Sequence, residues 1–208
     1  MNSTGGASRT WMLVPPIALA LGSLTSVGQT FAPGSVAPLF NSATSWCVVA
    51  FVLAFAARRP WRAATLSTTA FALLLVGYYL TADLRGYPTS ASSVRVWVAA
   101  TVVLGPLLGV AAAWLRAEPR GPRDLRRGFA VAPLGGIAIG EAVRGVLSLA
   151  DTTPVGYWWV QMALGVAFVA VTLSLRVGTR RARAVGVAAT VLMAGLVAVA
   201  FYVPTWLQ

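Results

Sequence analysis

Glu141 and Arg144 lie three positions apart in the stretch GEAVRGVLSLADTTPVGYWW (residues 140–159), inside an otherwise apolar run. An acid and a base at that spacing occupy neighbouring faces of a helix and can approach each other. Ionisable side chains are costly within hydrocarbon, so they face protein or water rather than acyl chains. Two chemistries suit such a pair. It could hold a small polar or zwitterionic solute. Alternatively, Glu141 or Asp151 could act as a general base while Arg144 holds a phosphate or a developing negative charge.

Further polar and aromatic residues fall at the same depth along their own apolar runs. They are Gln29, Asn41, Tyr78, Tyr79, Asp83, Asp151, Trp158, Trp159 and Gln161, with Thr30, Thr152, Thr153 and Tyr157 beside them. This distribution predicts a pocket open to the outside, with Glu141 and Arg144 at its floor. Tyr78, Tyr79, Trp158 and Trp159 would form its walls. The plainer reading makes the aromatics an interfacial belt and the Glu–Arg pair a structural ion pair.

Absent residues narrow the chemistry. The chain has no histidine and no lysine, and all its sixteen basic residues are arginine. Imidazole ligation of haem or zinc and lysine Schiff-base chemistry are thereby excluded. The single Cys47 can form no internal disulfide and reads as a small buried hydrophobe. No cofactor, metal site or catalytic residue is expected.

Composition places these residues in a membrane. Of 208 residues, 58% are hydrophobic and 10% charged, and the mean hydropathy is +0.76. Soluble domains carry about a quarter charged residues. The net charge of +11 resides in short arginine clusters between apolar runs, with no contiguous face to track phosphates. Nucleic acid is therefore not an expected partner; the lipid bilayer is.

A spanning helix needs about twenty mostly apolar residues. Seven stretches qualify, at 14–31, 42–57, 63–81, 94–115, 129–150, 156–175 and 184–203. They predict an all-α, seven-helix transmembrane bundle forming one domain over 1–208. Pro15 and Pro16 suit a first turn, and Pro204 a helix end. The first run resembles a signal peptide in its Arg9 and its Ala18-x-Ala20 pattern. Two prolines and continuation past Ala20 favour a retained span.

Orientation follows from arginine. With the N-terminus cytoplasmic, inside loops carry Arg9, Arg58, Arg59, Arg62, Arg116, Arg120, Arg123, Arg126, Arg127, Arg176, Arg180, Arg181 and Arg183. Outside segments carry only Arg85 and Arg95, so the bias predicts N-terminus in and C-terminus out. An arginine-rich turn follows the second span of each half (RRPWR and RVGTRRAR). PIALALGSLTS in the first half also loosely matches PLGGIAIGEAVRG in the second. Together these suggest a 3+1+3 parallel repeat.

Glu141 falls about 18 Å from the inner end of its span, in the outer half of the membrane. On that span Gly136, Gly140, Glu141, Arg144, Gly145 and Ser148 share one side. Ala138, Ile139, Ala142, Val143, Val146 and Leu149 share the other, which would face lipid. Small residues at Ala18, Gly22, Ser26 and Thr30, and at Gly105 and Gly109, mark close helix packing. Pro106 should bend the fourth span.

The runs GEAVRG and DTTPVGYWW, together with NSATSW, VGYYL and GPLLG, resemble a family of uncharacterised multi-span integral membrane proteins from high-GC Gram-positive bacteria. The resemblance covers most of the chain. It implies a multi-pass protein of the bacterial inner membrane and lends no activity and no catalytic residue. A retinal-binding role is excluded, because the last span lacks a lysine.

Three functions follow from the residues. The first is binding or transport of a small polar ligand through an outward-facing pocket around Glu141 and Arg144. The second is a structural or accessory subunit, docking a partner membrane protein or a second copy of itself through its glycine stripes. The third is a membrane enzyme acting on a lipid-linked substrate.

Overall fold

The computed structural model describes residues 5–118, 121 and 124–200. Its helices are α1 (Gly5–Phe31), α2 (Ala43–Ala54), α3 (Pro60–Leu84), α4 (Ala91–Arg116), α5 (Arg126–Phe129), α6 (Ala132–Ser148), α7 (Val155–Arg176) and α8 (Arg180–Ala200). A short 3-10 turn, Ala37–Phe40, precedes α2, and no strand occurs among the described residues. Arg9, Arg120, Arg123 and the end of the last predicted span, including Pro204, bear on expectations that fall outside the described residues or side chains.

Among the described residues, six helical stretches are long and apolar enough to cross a membrane: Trp11–Phe31, Pro60–Leu84, Ala91–Arg116, Arg126–Ser148 (α5 with α6), Val155–Arg176 and Arg180–Ala200. Their outward surfaces carry Met12, Phe31, Leu164, Leu175, Leu192 and Val199, all exposed. Apolar exposure on that scale is tolerated by lipid and not by water. The chain is a membrane protein.

The second predicted span is shorter than its apolar run. α2 has 12 residues, roughly 18 Å at 1.5 Å per residue, against a hydrocarbon core of about 30 Å. Its last turn tightens, with the amides of Phe55, Ala56 and Ala57 bonding three residues back. Arg59 then takes an extended conformation before Pro60, as pre-proline residues do. Six helical stretches among the described residues therefore reach spanning length, and α2 does not.

Two further expectations are corrected. Pro15 and Pro16 lie inside α1 rather than in its first turn, because the helix begins at Gly5. Neighbouring helices make such interior prolines tolerable in membranes. The fifth predicted span is interrupted at Ala130 and Val131, just before Pro133, and splits into α5 and α6.

Helix directions follow from the close approaches. Gly22 meets Leu74, Gln29 bonds Tyr78, and Arg85 just past α3 reaches Ser26 and Thr30 near the end of α1, so α1 and α3 run parallel. Gly128 meets Ala182 and Gly140 meets Ala194, so α5–α6 and α8 also run parallel. α4 returns antiparallel along α3, with Gly105 on Thr68 and Gly109 on Ala63. α7 returns along α6, with Gly145 on Trp158 and Gly165 on Ala138.

The core lies among α2, α3, α4 and α6, built on Cys47, Phe71, Leu74, Leu108 and Ile137. α6 is its central helix. Ala138 and Ala142, on the side predicted to face lipid, are buried with Gly136, Gly140 and Gly145 on the other side. Alanine is small enough to admit a neighbouring helix, and α7 takes that place.

The α1–α3 contact generates a stability prediction. A Cβ at Gly77 would lie 2.3 Å from Leu19 O, whereas a Cβ at Gly195 meets nothing within 4 Å. Gly77→Ala should lower unfolding stability in detergent by about 1–3 kcal/mol, as overpacking does. Gly195→Ala should stay within roughly 0.5 kcal/mol of the parent. Equal effects at the two sites would contradict the tight packing.

Candidate functional site

α2 begins within the bundle, and its first amides need acceptors there. Ser42 is its N-cap residue, extended at φ −85° and ψ 131°, yet its hydroxyl makes no capping bond to its own helix. Glu141, reaching across from α6, supplies the cap. Its Oε1 accepts from Ala43 N at 2.8 Å, and its Oε2 accepts from Thr44 N at 2.9 Å. Ser42 Oγ donates to Oε2 at 2.8 Å, and Gln161 Nε2 on α7 donates to it at 3.0 Å.

Gln161 completes the cluster. Its Nε2 also lies 3.1 Å from Thr44 Oγ1 and 3.2 Å from Ala138 O, so two hydrogens serve three acceptors. Its Oε1 is 3.2 Å from Ser42 Oγ, but that hydroxyl's one hydrogen belongs to the shorter contact with Glu141. Tyr157 faces Ser42 and Ser45 from α7. Glu141 is only 6% exposed and Gln161 equally so.

The electrostatics follow from this geometry. All four groups bonded to it donate a hydrogen, which suits a carboxylate, whose two oxygens accept. The helix N-terminus adds a partial positive charge beneath it. Charge-assisted bonds of this kind are about twice as strong as neutral ones. The carboxylate thus replaces its lost hydration with four donors and a helix dipole.

A second polar group lies beside the first turn of α2. Tyr78 donates to Gln29 Oε1 at 2.9 Å, and Gln29 Nε2 donates to Phe40 O at 3.1 Å. The Tyr78 ring packs at 5.3 Å from Trp46 and 5.1 Å from Tyr79, and Trp46 at 5.1 Å from Trp97. Trp46 belongs to α2, one turn beyond Ser42, so that turn carries both groups.

The predicted residues therefore divide. Glu141 and Gln161 come together, and Gln29, Tyr78 and Tyr79 form a neighbouring set. Trp158 is buried against Gly145, with its indole nitrogen unpartnered among the described residues. Arg144 is half-buried, one turn beyond Glu141, while Asn41, Asp83, Asp151 and Trp159 are exposed. Ser42 and Thr44 were not among the candidates. A serine directly before an apolar run is an N-cap signal that points to the first of them. Among the described residues, no three His, Cys, Asp or Glu side chains cluster as metal ligands would.

Removing the carboxylate should cost more than removing any one donor. Glu141→Ala is expected to lower stability in detergent by at least ~3 kcal/mol, since hydrogen bonds to charged groups carry roughly 1.5–3 kcal/mol each. Ser42→Ala and Glu141→Gln should be non-additive in a double-mutant cycle, with a coupling of about 0.5–3 kcal/mol. Strict additivity would mean that the two side chains do not share one network.

No curated protein and no solved structure matches this chain. The profile of one family, described as a family of unknown function (DUF6518), matches residues 1–205. That match spans nearly the whole sequence, helices and polar cluster alike, and the chain belongs to this family.

Proposed function

We propose that this membrane protein binds or carries a small polar solute, and that the Glu141 cluster is the latch of its closed state. The observation carrying this reading is the buried carboxylate at the start of a half-length helix. It joins α2 in the first half of the chain to α6 and α7 in the second. Transporters built from repeats place their sites where the halves meet, often at the N-termini of short helices. The two parallel pairs, α1 with α3 and α6 with α8, each packed through glycines, support a 3+1+3 repeat with α4 as connector. Passing from α1 to a parallel α3 requires α2 to lead the chain back, which supports seven passes with α2 as the short one.

The arginines of the α2–α3 turn, the end of α4, α5 and the α7–α8 turn gather at one end of the bundle, tied by bonds from Arg116 to Phe55 O and from Arg127 to Ala117 O. That asymmetry supports a cytoplasmic N-terminus in a bacterial inner membrane. A solute carrying an anionic group could take the place of Glu141 at the α2 amides and release α2 from α6. Gln29 and Tyr78, beside the same turn, offer polar atoms to the rest of the solute. The competing reading, a purely structural cap, is favoured by the complete hydrogen bonding of Glu141.

A thermal-shift screen of small zwitterionic and carboxylate solutes separates the two. A solute that raises the unfolding temperature of the parent should lose that effect in Glu141→Gln while the variant remains folded. Cys47 is the chain's one cysteine, so Ser45→Cys in a Cys47→Ala background reports entry of water. An impermeant maleimide should label it several-fold faster once Glu141→Gln is added. If no solute shifts the parent and labelling stays absent in both backgrounds, the cluster is a structural cap and the carrier reading fails.

A further inference from the structure

The arginine-rich end of the bundle holds a cavity of about 350 Å³, bounded by the end of α7, the start of α8 and residues before α5. We propose that it binds a phosphate group, free or on a lipid headgroup. Arg127, Arg176 and Thr179 line it.

Each donor has capacity to spare. Arg127 uses Nη1 on Arg176 O and Nη2 on Ala117 O. Its Nε is buried and has no partner among the described residues. Arg176 is exposed, and no hydrogen bond or ion pair engages its guanidinium among those residues. Thr179 Oγ1 accepts from Ala182 N at 3.2 Å, which leaves its own hydrogen to donate. As the cap residue of α8, Thr179 also places the cavity at the positive end of a 21-residue helix.

Among the described lining residues, one carries an opposing charge. It is Asp124, but both of its oxygens accept from Arg126. The other charged groups among the described lining residues, Arg127 and Arg176, are positive. A phosphate with two arginines, a hydroxyl and helix amides is a familiar donor set, and arginine forks match its oxygens. The volume exceeds that of a bare phosphate and leaves room for an esterified glycerol. The cavity also opens at the end of the bundle, where headgroups reside.

The test uses the full chain in detergent, titrated separately with inorganic phosphate and with phosphatidylglycerol in mixed micelles, read by thermal shift. At least one probe should saturate on the parent. Arg176→Gln should weaken it roughly tenfold, the scale of one lost charge-assisted hydrogen bond. Arg181→Gln removes the same charge outside the cavity and should change binding less than about twofold. Arg176→Lys, which keeps the charge, should recover part of the loss. Saturation by phosphatidylglycerol alone identifies a headgroup site; saturation by both, with mutual competition, identifies a site for phosphate itself. If neither probe saturates, or if Arg176→Gln and Arg181→Gln weaken binding equally, the proposal is overturned.

Discussion

A helix that starts inside a low-dielectric bundle leaves its first amides without water and without intrahelical acceptors. The arrangement of α2, α6 and α7 answers that requirement. An uncapped α2 would be unfavourable, and so would a lone carboxylate on α6. Placed against each other at 2.8–2.9 Å, each removes the other's penalty. A glutamine at position 141 would bring an acceptor on one oxygen only and would turn its own N–H groups toward other donors. The charge therefore matters as well as the shape. Because Glu141 holds the helix start, α2 can be short, and α6 must occupy the centre of the bundle to reach it.

Much of the fold was legible from apolar length. The long runs mark six helices to within a few residues at most ends, and prolines and arginines mark the turns between them. The glycine spacing at Gly105 and Gly109 correctly marks a close approach, since length and small-residue spacing are properties of single segments. The shortness of α2 was less visible, because an apolar run of sixteen residues does not reveal where its hydrogen bonding begins.

The site was legible in its acid but not in that acid's partners. Glu141 stands out as an ionisable residue in hydrocarbon, and Gln161 stands at the same depth. The i, i+3 spacing to Arg144 marks a local pair. Three of the four donors to the carboxylate, Ser42 Oγ and the amides of Ala43 and Thr44, lie nearly a hundred residues earlier. Backbone amides carry no residue-type signature, so a helix N-terminus used as a counter-charge leaves only its N-cap serine to be read. The same limit explains Ala138 and Ala142. A small apolar side chain looks alike whether it meets lipid or another helix, and only the arrival of α7 decides between them.

The exclusive use of arginine has a structural use beyond orientation. Arg85 donates to Ser26 O and Thr30 Oγ1, joining α3 to the end of α1. Arg127 joins α5 to the ends of α4 and α7, and Arg183 on α8 reaches Val177 O and Ser174 O. Arg127 and Arg183 each serve two carbonyls at helix ends, where the last carbonyls lack intrahelical donors. A lysine is a compact point charge without a planar fork and is less suited to bridging two fixed carbonyls. The same groups that bias topology thus close the C-terminal ends of the helices. Glu141 performs the complementary task at an N-terminal end, where a negative group is required. Helix ends of both polarities are satisfied by side chains from neighbouring helices, which makes the polar atoms of this protein the connectors of its bundle.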